Sequence, residues 1–316
     1  MNKVKTLLIG HGYLGKWHAQ KALDLEQCDL VAICESDKSR HSELSELYPD
    51  LKIVSEYTEI TNEFDAALVV TPTALHFDIV KNLIELGKHV FCEKPLCRTY
   101  SETIELRKLS EQYTDTIIQV GHSERFHSLW NETGLVESIR NQKFQIEINR
   151  YAPFKGRATD VNVVVDLMIH DLDLITFLTG KWPTHISANG FKVLSPHIDT
   201  CSATLYYEDG SIAHIQNGRC HHVERRELLC AINQQHYIFD LSSSTCSVVK
   251  SDGQLIRSEY PKRDHLLEEQ KSFYDSIINQ KAAIVGLQDG IRAVYLIEKV
   301  LEAVEKRKIV EVERID

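Results

Sequence analysis

One helical segment of the sequence carries acidic and basic side chains in a pattern that suits proton transfer. The segment from 163 to 175 is apolar around most of its circumference, but Asp166, His170 and Asp173 recur at i, i+4 and i+7. This spacing places the three side chains on one face of a helix. Because unpaired buried charge is costly, the pattern predicts partners for this face, and a substrate pocket would supply them.

The residue types fit the oxidation of a secondary alcohol, in which a base removes the hydroxyl proton while a bound acceptor takes the hydride. Histidine has an ordinary pKa of about 6.5, which suits His170 to general acid–base catalysis near neutral pH. Asp166 would orient that imidazole or favour its charged form. Lys94, held extended by the following Pro95, would hydrogen-bond the substrate oxygen and stabilise the developing alkoxide.

Two other interpretations of the same helix stay open. His170 and the aspartates would equally satisfy one another and the nearby backbone as a polar network within the core. Asp166 and His170 also have the spacing with which two side chains share a divalent ion. Only His122 is conceivable as a third ligand, so we predict no metal site.

A glycine-rich turn, GHGYLG, lies between the first predicted strand and the first predicted helix. Gly10 allows the tight turn, Gly12 lets the backbone approach a pyrophosphate, and Gly15 lets helix and strand pack closely. The N-terminus of the helix then offers N–H groups to the phosphates. An acidic residue follows 20 positions after Gly15, at the end of the next strand. The residues predicted to bind a dinucleotide here are Gly10, Gly12, Tyr13, Leu14, Gly15 and Glu35.

Glu35 also predicts which nicotinamide cofactor binds. A carboxylate at this position hydrogen-bonds the ribose hydroxyls and repels a 2′-phosphate. Lys38 and Arg40 follow closely and would soften that repulsion. We therefore predict NAD as the cofactor and keep NADP as the less favoured alternative.

Polar residues also follow the later predicted strands, where ligands bind in open α/β sheets. Ordinary turn chemistry is the alternative explanation for each of these loops. The residues in these loops that are candidates for a cofactor contact are Thr71, Pro72, His76, Glu93, Lys94 and His122.

The predicted elements divide the chain into two parts of different character. Up to about residue 120, short apolar runs alternate with helical patterns, which is typical of a doubly wound parallel sheet. Strands are predicted at 4–9, 29–34, 65–70, 89–92 and 116–120, and helices at 14–25, 37–48, 74–86 and 100–112. An amphipathic stretch (122–141), a strand (143–150) and an apolar helix (163–178) come next. Strands of alternating polarity between 184 and 257, followed by two helices (264–280 and 286–306), predict a mostly antiparallel sheet. We therefore predict an α/β Rossmann domain over 1–122 and an α+β domain for substrate binding and oligomerisation over 123–316.

The composition limits the class of protein. With 36 basic and 46 acidic residues the net charge is −10, which disfavours nucleic acid as a partner. Eight cysteines lie scattered without a CxxC pair, as expected for buried thiols in a reducing compartment. No apolar run approaches the ~20 residues of a membrane span, and the N-terminus has no signal-peptide pattern. We therefore expect a cytoplasmic protein without a membrane partner.

In combination, the motifs GHGYLG, TPTALH, EKPL, GHSERF and DLMIHDLDL resemble the Gfo/Idh/MocA family of sugar and polyol dehydrogenases. The resemblance implies that Lys94 is the catalytic-site lysine and that Asp166 and His170 act with it near the substrate. It also implies that four residues line the cofactor: Thr71, Pro72, His76 and Glu93. It implies further that dimers or tetramers form. The family's usual Asn after the ERF-type motif is His127 here, which places a copied substrate contact in doubt. From GHSERF to SPHIDTCSATLYY, the chain is most similar to members that oxidise UDP-N-acetylglucosamine to its 3-keto form.

A sugar nucleotide carries a diphosphate, so the substrate domain should offer cations. Arg125 and Arg157 are the predicted substrate-binding residues, together with Lys94 and His170; Arg150 and Lys155 are further basic neighbours. Solvated surface charge is the alternative explanation for each of these cations. Two other functions stay open: a non-catalytic NAD(H)-binding regulatory protein of the same fold, and a dehydrogenase of a free sugar or inositol.

Overall fold

The computed structural model describes residues 3–140, 142–154 and 161–315. Within these ranges the chain forms strands and helices in both halves. The strands are β1 (Val4–Ile9), β2 (Cys28–Cys34), β3 (Lys52–Val54), β4 (Ala66–Val69), β5 (His89–Glu93), β6 (Ile118–Gly121), β7 (Gln145–Tyr151), β8 (His185–Phe191), β9 (Thr200–Tyr206), β10 (Ile212–Gly218), β11 (Arg225–Ile232), β12 (Gln235–Asp240), β13 (Thr245–Val249), β14 (Leu255–Glu259) and β15 (Val310–Glu311). The α-helices are α1 (Tyr13–Asp24), α2 (His41–Leu47), α3 (His76–Glu85), α4 (Tyr100–Ser110), α5 (Ser128–Glu132), α6 (Leu135–Ile139), α7 (Ile169–Thr179), α8 (His265–Ile278) and α9 (Leu287–Lys306).

The first compact unit comprises Met1–Ser123 and Asp264–Val294. Its sheet has six strands in the order β3-β2-β1-β4-β5-β6, and every neighbouring pair is parallel. Strands such as β4, AALV, are buried along their whole length because helices cover both faces of a parallel sheet. This is the predicted doubly wound Rossmann architecture.

Helix α8 belongs to this first unit, which differs from the predicted boundary at 122/123. Its residues Phe273 and Tyr274 are fully buried in the core cluster that also contains Leu8, Ile33 and Phe91 of the sheet. Burial of two large aromatic side chains provides the physical reason for this position. A pattern of helical periodicity predicts that α8 has an apolar face, but it does not indicate which sheet covers that face.

The second unit comprises Glu124–Arg263 and Tyr295–Asp316. Its nine-stranded sheet has the order β14-β13-β12-β11-β7-β10-β9-β8-β15. Strands β7 and β10 are parallel, and the other neighbouring pairs are antiparallel. The predicted fold class, a Rossmann domain followed by an α+β domain with a mostly antiparallel sheet, is confirmed.

A buried ion-pair network joins α7 to the sheet of the second unit. The guanidinium of Arg150, at the end of β7, donates to Asp171 (Nε to Oδ1 2.9 Å, Nη2 to Oδ1 2.8 Å) and to Glu124 (Nη1 to Oε1 2.9 Å). Asn217 adds a bond of 2.7 Å to Asp171 Oδ2. Burial opposes the charge of Arg150, but Asp171 and Glu124 outweigh this effect and raise its pKa. Burial raises the pKa of Asp171 as well, against the charge and hydrogen bonds of Arg150. Each charge of the network is therefore stabilised by its partner once both are removed from water.

Several local features differ from the sequence-based elements. The predicted amphipathic stretch 122–141 is broken into a 3₁₀ turn, α5 and α6, and the predicted helix 163–178 begins with a π-helical turn, Val164–Met168. Strand β3 was not among the predicted strands, because its three residues KIV are too few for a pattern. Among the described residues, no helix combines the length and apolar composition that crossing a bilayer requires.

The buried network predicts a large cost for removing Asp171. Asp171→Ala leaves the Arg150 guanidinium buried beside only one carboxylate, so we expect the free energy of unfolding to fall by about 3 kcal/mol or more. Urea denaturation followed by fluorescence and circular dichroism measures this loss. The exposed Glu305 on α9 offers a control: Glu305→Ala should change the free energy by less than about 0.5 kcal/mol. Equal effects of the two substitutions would contradict the structural role of Asp171.

Candidate active site

The glycine-rich turn between β1 and α1 has a conformation that only glycine permits at two positions. Gly10 has a φ of +93°, and a Cβ there would lie 2.6 Å from the carbonyl oxygen of Val70. A Cβ on Gly15 would lie 2.2 Å from the carbonyl oxygen of Gly10. At Gly12, by contrast, an added Cβ meets no described atom within 4 Å. The loop is thus packed tightly behind and open at Gly12, which fits the approach of a pyrophosphate.

The N-terminus of α1 offers backbone donors at this opening. The helix begins at Tyr13, and the N-cap residue Gly12 has no side chain to bond the first N–H groups. Such a terminus attracts anions through its N–H groups and its dipole. Tyr13 is 68% exposed, whereas Leu14 packs against the core cluster, so Leu14 would contribute to cofactor binding through its backbone.

Glu35 follows β2 and lies beside the same turn. Its Oε2 accepts hydrogen bonds from Arg40 Nη1 (2.9 Å) and from the backbone N of His11 (3.3 Å). Its Oε1 accepts from the backbone N of Asp37 at 3.1 Å. Arg40 also donates to the carbonyl oxygen of His11 at 2.9 Å. The carboxylate is therefore fixed at the turn and partly neutralised by Arg40.

His11 is a residue of this turn that sequence reasoning passed over. Its ring is buried, with Nε2 3.0 Å from the Tyr48 hydroxyl and Nδ1 3.3 Å from Arg40 Nη2. Because a guanidinium only donates, Nδ1 accepts and Nε2 carries the ring proton. Burial, followed by the charge of Arg40, lowers the pKa of His11. The position between two glycines was the only signal in the sequence.

His76 joins the loops that follow β4 and β5. Its Nε2 lies 2.9 Å from the carbonyl oxygen of Thr71, and its Nδ1 lies 2.8 Å from the carbonyl oxygen of Pro95. His76 is buried, Thr71 is half-buried and Pro72 is exposed. The structure therefore gives His76 a role in holding the two loops, and the predicted cofactor contacts of these three residues stay predictions.

Glu93 ends β5 and holds the backbone of Lys94. Its carboxylate accepts from His18 Nε2 (2.9 Å) and from the backbone N of Lys94 (3.0 Å). Burial opposes its charge, but the hydrogen bonds from His18 and from the backbone N of Lys94 help to lower the pKa of Glu93. Glu93 is thus directed at the protein's own groups, while Lys94 is half-buried. The predicted cofactor contact of Glu93 stays a prediction.

The residues predicted to bind the dinucleotide all follow strands of the parallel sheet. The turn follows β1, Glu35 follows β2, Thr71 follows β4, and Lys94 and His122 follow β5 and β6. His122 is buried, and its backbone N donates to the carbonyl oxygen of Val120 at 2.8 Å. Since all strands run in one direction, these residues share the carboxyl edge of the sheet, where ligands bind in open α/β folds.

In the second unit, Asp166 and His170 lie where a π-helical turn passes into α7. Both side chains are half-buried. The start of the turn is held by a hydrogen bond from the backbone N of Val163 to the carbonyl oxygen of Ile198 (2.8 Å) and by Asn162 Oδ1, which accepts from the backbone N of Val165 (3.0 Å). Single π turns recur at functional sites.

Asp173 differs from Asp166 and His170 in its burial and in its partner. It is buried and accepts two hydrogen bonds from Arg125, at 2.8 Å from Nε and 2.5 Å from Nη2. The π turn contains Asp166 and holds more residues than the 3.6 of an α-helical turn, so the angular position derived for a regular helix does not apply to Asp166 relative to His170 and Asp173. The half-buried acid–base pair of the helix is therefore Asp166 and His170.

The basic residues predicted to bind an anionic substrate have different positions. Arg125 is buried, pairs with Asp173 and lies over the ring of Phe177 at 5.2 Å, so its charge is neutralised internally. Its predicted substrate contact stays a prediction. The suggestion that Arg150 offers a cation to substrate is wrong, since Arg150 is buried and bonded to Asp171 and Glu124. Lys155 and Arg157 lie outside the described residues.

His127 has an internal role in place of the family's usual Asn. Its Nε2 lies 3.1 Å from the carbonyl oxygen of Leu241, and its Nδ1 accepts from the backbone N of Leu129 at 3.3 Å, which caps α5. Burial is the main effect that lowers the pKa of His127. These contacts explain why a histidine is accommodated at this position.

Comparison with known proteins identifies both parts of the chain. Residues 4–122 match the model of an oxidoreductase family with an NAD-binding Rossmann fold, and residues 135–239 match the GFO/IDH/MocA C-terminal domain.

Individual relatives match the chain over nearly its whole length. The UDP-N-acetylglucosamine 3-dehydrogenase of Acidithiobacillus ferrooxidans is 27% identical over 96% of this chain and 98% of its own. A solved structure of that enzyme has a TM-score of 0.88 at 26% identity, covering 97% of this chain and 99% of that chain. The myo-inositol 2-dehydrogenase of Thermotoga maritima is 25% identical over 98% of each chain. The scyllo-inositol dehydrogenase of Lactobacillus casei, solved with NAD(H) and scyllo-inositol, shares the fold with a TM-score of 0.85 at 22% identity, covering 98% of this chain and 99% of that chain.

The position of Glu35 predicts the effect of removing its charge on cofactor choice. Glu35→Gln abolishes the repulsion of a 2′-phosphate and releases Arg40 to attract it, so we expect the ratio of the Kd for NADP+ to the Kd for NAD+ to fall by about tenfold or more. Isothermal titration calorimetry with each cofactor measures this ratio. Glu43→Gln, at an exposed glutamate of α2, is the matched control. An unchanged ratio in Glu35→Gln would remove Glu35 from its assigned role.

The two family models match successive parts of the chain, the first within the unit that has the parallel sheet and the second within the unit that has the mostly antiparallel sheet. The chain belongs to the Gfo/Idh/MocA family of oxidoreductases, and its N-terminal part is the family's NAD-binding Rossmann domain.

Proposed function

We propose that this protein oxidises a secondary hydroxyl group of a sugar nucleotide with NAD, and that UDP-N-acetylglucosamine, converted to its 3-keto form, is the substrate. The observation that carries the proposal is the half-buried pair of Asp166, on the π turn, and His170, at the start of α7, in a chain with an NAD-binding domain. A protein that only senses NAD(H) has no need of such an acid–base pair. The pair therefore favours a dehydrogenase over a regulatory protein.

Each proposed catalytic residue has one role. The nicotinamide of the bound cofactor supplies the hydride acceptor. His170 removes the hydroxyl proton, and Asp166 orients its imidazole. Lys94, whose backbone N is held by Glu93, hydrogen-bonds the substrate oxygen and stabilises the alkoxide as it forms. The turn at Gly10–Gly15 and the N-terminus of α1 bind the pyrophosphate, and Glu35 binds the ribose hydroxyls.

The similarity to the UDP-N-acetylglucosamine 3-dehydrogenase of Acidithiobacillus ferrooxidans, which spans both units, supports the choice of a sugar nucleotide. A diphosphate requires cations in the substrate domain, and Arg157 and Lys155 precede the π turn in sequence. An inositol is the second candidate substrate, because the myo-inositol 2-dehydrogenase of Thermotoga maritima also matches over 98% of each chain.

We further propose that the protein acts in the cytoplasm as a homodimer or homotetramer. All eight cysteines are free thiols, and seven of them are buried, which suits a reducing compartment. The resemblance to a family that commonly forms dimers and tetramers supports the assembly.

A substrate panel tests the proposed activity. Purified protein mixed with NAD+ should form NADH, followed by its absorbance, with a kcat/KM at least about tenfold higher for UDP-N-acetylglucosamine than for myo-inositol or scyllo-inositol, because only the nucleotide engages the cations of the substrate domain. A reversed preference would favour the inositol alternative. Tight NAD+ binding without turnover of any sugar would favour the regulatory alternative.

The acid–base role predicts a selective defect in His170→Ala. We expect kcat to fall by about 10²–10⁴-fold, because the hydroxyl proton loses its acceptor, while the Kd for NAD+ stays within about twofold of wild type. Stopped-flow turnover and calorimetry measure the two quantities. His185→Ala, at an exposed histidine of β8, is the control and should retain full turnover. Normal turnover in His170→Ala would exclude it as the base.

A further inference from the structure

Behind Lys94 lies a buried cluster of titratable side chains that the proposed mechanism does not use. Glu93 at the end of β5, His18 on α1 and Glu269 on α8 each place one ligand-type atom within 4.8 Å of the others. All three residues are buried, and Glu269 is fully so. They belong to the first compact unit, and Glu93 connects the cluster to the backbone of Lys94.

The hydrogen bonds of His18 determine which of its ring nitrogens carries the proton. Gln270 Nε2 lies 3.2 Å from the carbonyl oxygen of His18 and 2.9 Å from its Nδ1. A carbonyl oxygen only accepts, so the amide nitrogen donates to it and Nδ1 is an acceptor. The proton of the ring is then on Nε2, which donates to Glu93 Oε1 at 2.9 Å. A metal ion would need the lone pair of Nε2, so this arrangement does not suit one.

Glu269 faces an excess of acceptors. Within the described part of the chain, both of its carboxyl oxygens are buried without a hydrogen-bond partner, as are Gln119 Oε1 and Gln270 Oε1. Gln119 Nε2 donates to the backbone carbonyl oxygen of Glu269 at 2.7 Å. An ionised Glu269 would place a second negative charge beside that of Glu93, and this charge would have no hydrogen-bond donor, whereas a protonated Glu269 is itself a donor.

The electrostatics agree with this geometry. Burial raises the pKa of Glu269 well above its ordinary value, and the carboxylates of Glu93 and Asp264 raise it further. Among the described residues, three titratable groups face it: the Glu93 carboxylate at the end of β5, the Asp264 carboxylate at the N-cap of α8, and the His18 imidazole on α1.

We propose that Glu269 is a protonated carboxylic acid that hydrogen-bonds the Glu93 carboxylate, and that it is thereby a positioning residue for Lys94. Glu93 receives hydrogen bonds from Glu269 and His18 and accepts the backbone N–H of Lys94, so the orientation of the lysine depends on a proton held on α8. This inference rests on the proposed function for the role of Lys94, but not for the protonation of Glu269.

The protonation is tested without any activity. In the infrared difference spectrum between wild type and Glu269→Gln at neutral pH, we expect a band from the carbonyl stretch of a protonated carboxylic acid, which is present in wild type and absent from the variant. Glu268→Gln, on the same turn of α8, serves as the control and should not remove that band. A carboxylate band in its place, or a stoichiometric divalent metal found by elemental analysis of the purified protein, would overturn the proposal.

The pH dependence of stability gives a second readout. An unfolded chain loses a glutamate proton at about pH 4.3, whereas the folded chain keeps that of Glu269 to higher pH, so stability falls as the pH rises through this interval. Glu269→Gln removes the fall. The Tm of this variant should therefore exceed that of wild type by an amount that grows from near zero at about pH 4 to more than about 2 °C at about pH 8. A constant difference would contradict the proposal.

Turnover then tests the positioning role. We expect Glu269→Leu, which cannot donate, to lower kcat by about tenfold or more, and Glu269→Gln, whose amide can donate to Glu93, to recover most of it. Equal losses in both variants would overturn the positioning role. If wild type turns over no substrate, the proposed function fails, while the infrared and stability results still decide the state of Glu269.

Discussion

Charge that is removed from water must be neutralised where it lies, and this requirement shapes both units of the protein. In the second unit, Arg150 and Arg125 each bind an aspartate of α7, Asp171 and Asp173 respectively. The helix that carries His170 is thus fixed by two ion pairs two residues apart. Because guanidinium–carboxylate pairs constrain direction as well as distance, they determine the rotation of the helix about its axis.

In the first unit, no cationic side chain of the described residues is bonded to the buried carboxylate of Glu93, which is stabilised by neutral hydrogen-bond donors. Glu93 keeps its negative charge because His18 and the backbone N of Lys94 donate to it. The glycine-rich turn uses a different principle, since the N-cap Gly12 has no side chain and the N–H groups at the start of α1 provide a positive potential. The carboxyl edge of the sheet therefore combines a helix N-terminus with positive potential and a lysine, Lys94, whose backbone is held by a hydrogen bond to Glu93.

The sequence predicted most of the fold, because its main signals are local. The strands of the parallel sheet are continuous apolar runs, and the turn GHGYLG identifies itself by its glycines. Local signals of this kind do not predict ion pairs between residues that are distant in sequence. The types of Arg125 and Arg150 suggested substrate cations, but nothing in their own segments reveals aspartates that lie 48 and 21 residues further along the chain. The π turn was missed for a related reason, since apolar periodicity does not distinguish it from an α-helical turn.

The position of α8 has a consequence for how the chain reaches its native state. The first unit is discontinuous in sequence, because residues from 264 to 294 complete a core that begins with β1. During synthesis, the parallel sheet emerges without Phe273 and Tyr274, and the apolar surface that they cover stays exposed to solvent until about 150 further residues have been added. The nucleotide-binding half of this protein is thus not a separable module at the N-terminus: its native packing requires the C-terminal part of the chain, and its folding has long-range contacts of the kind that slow folding.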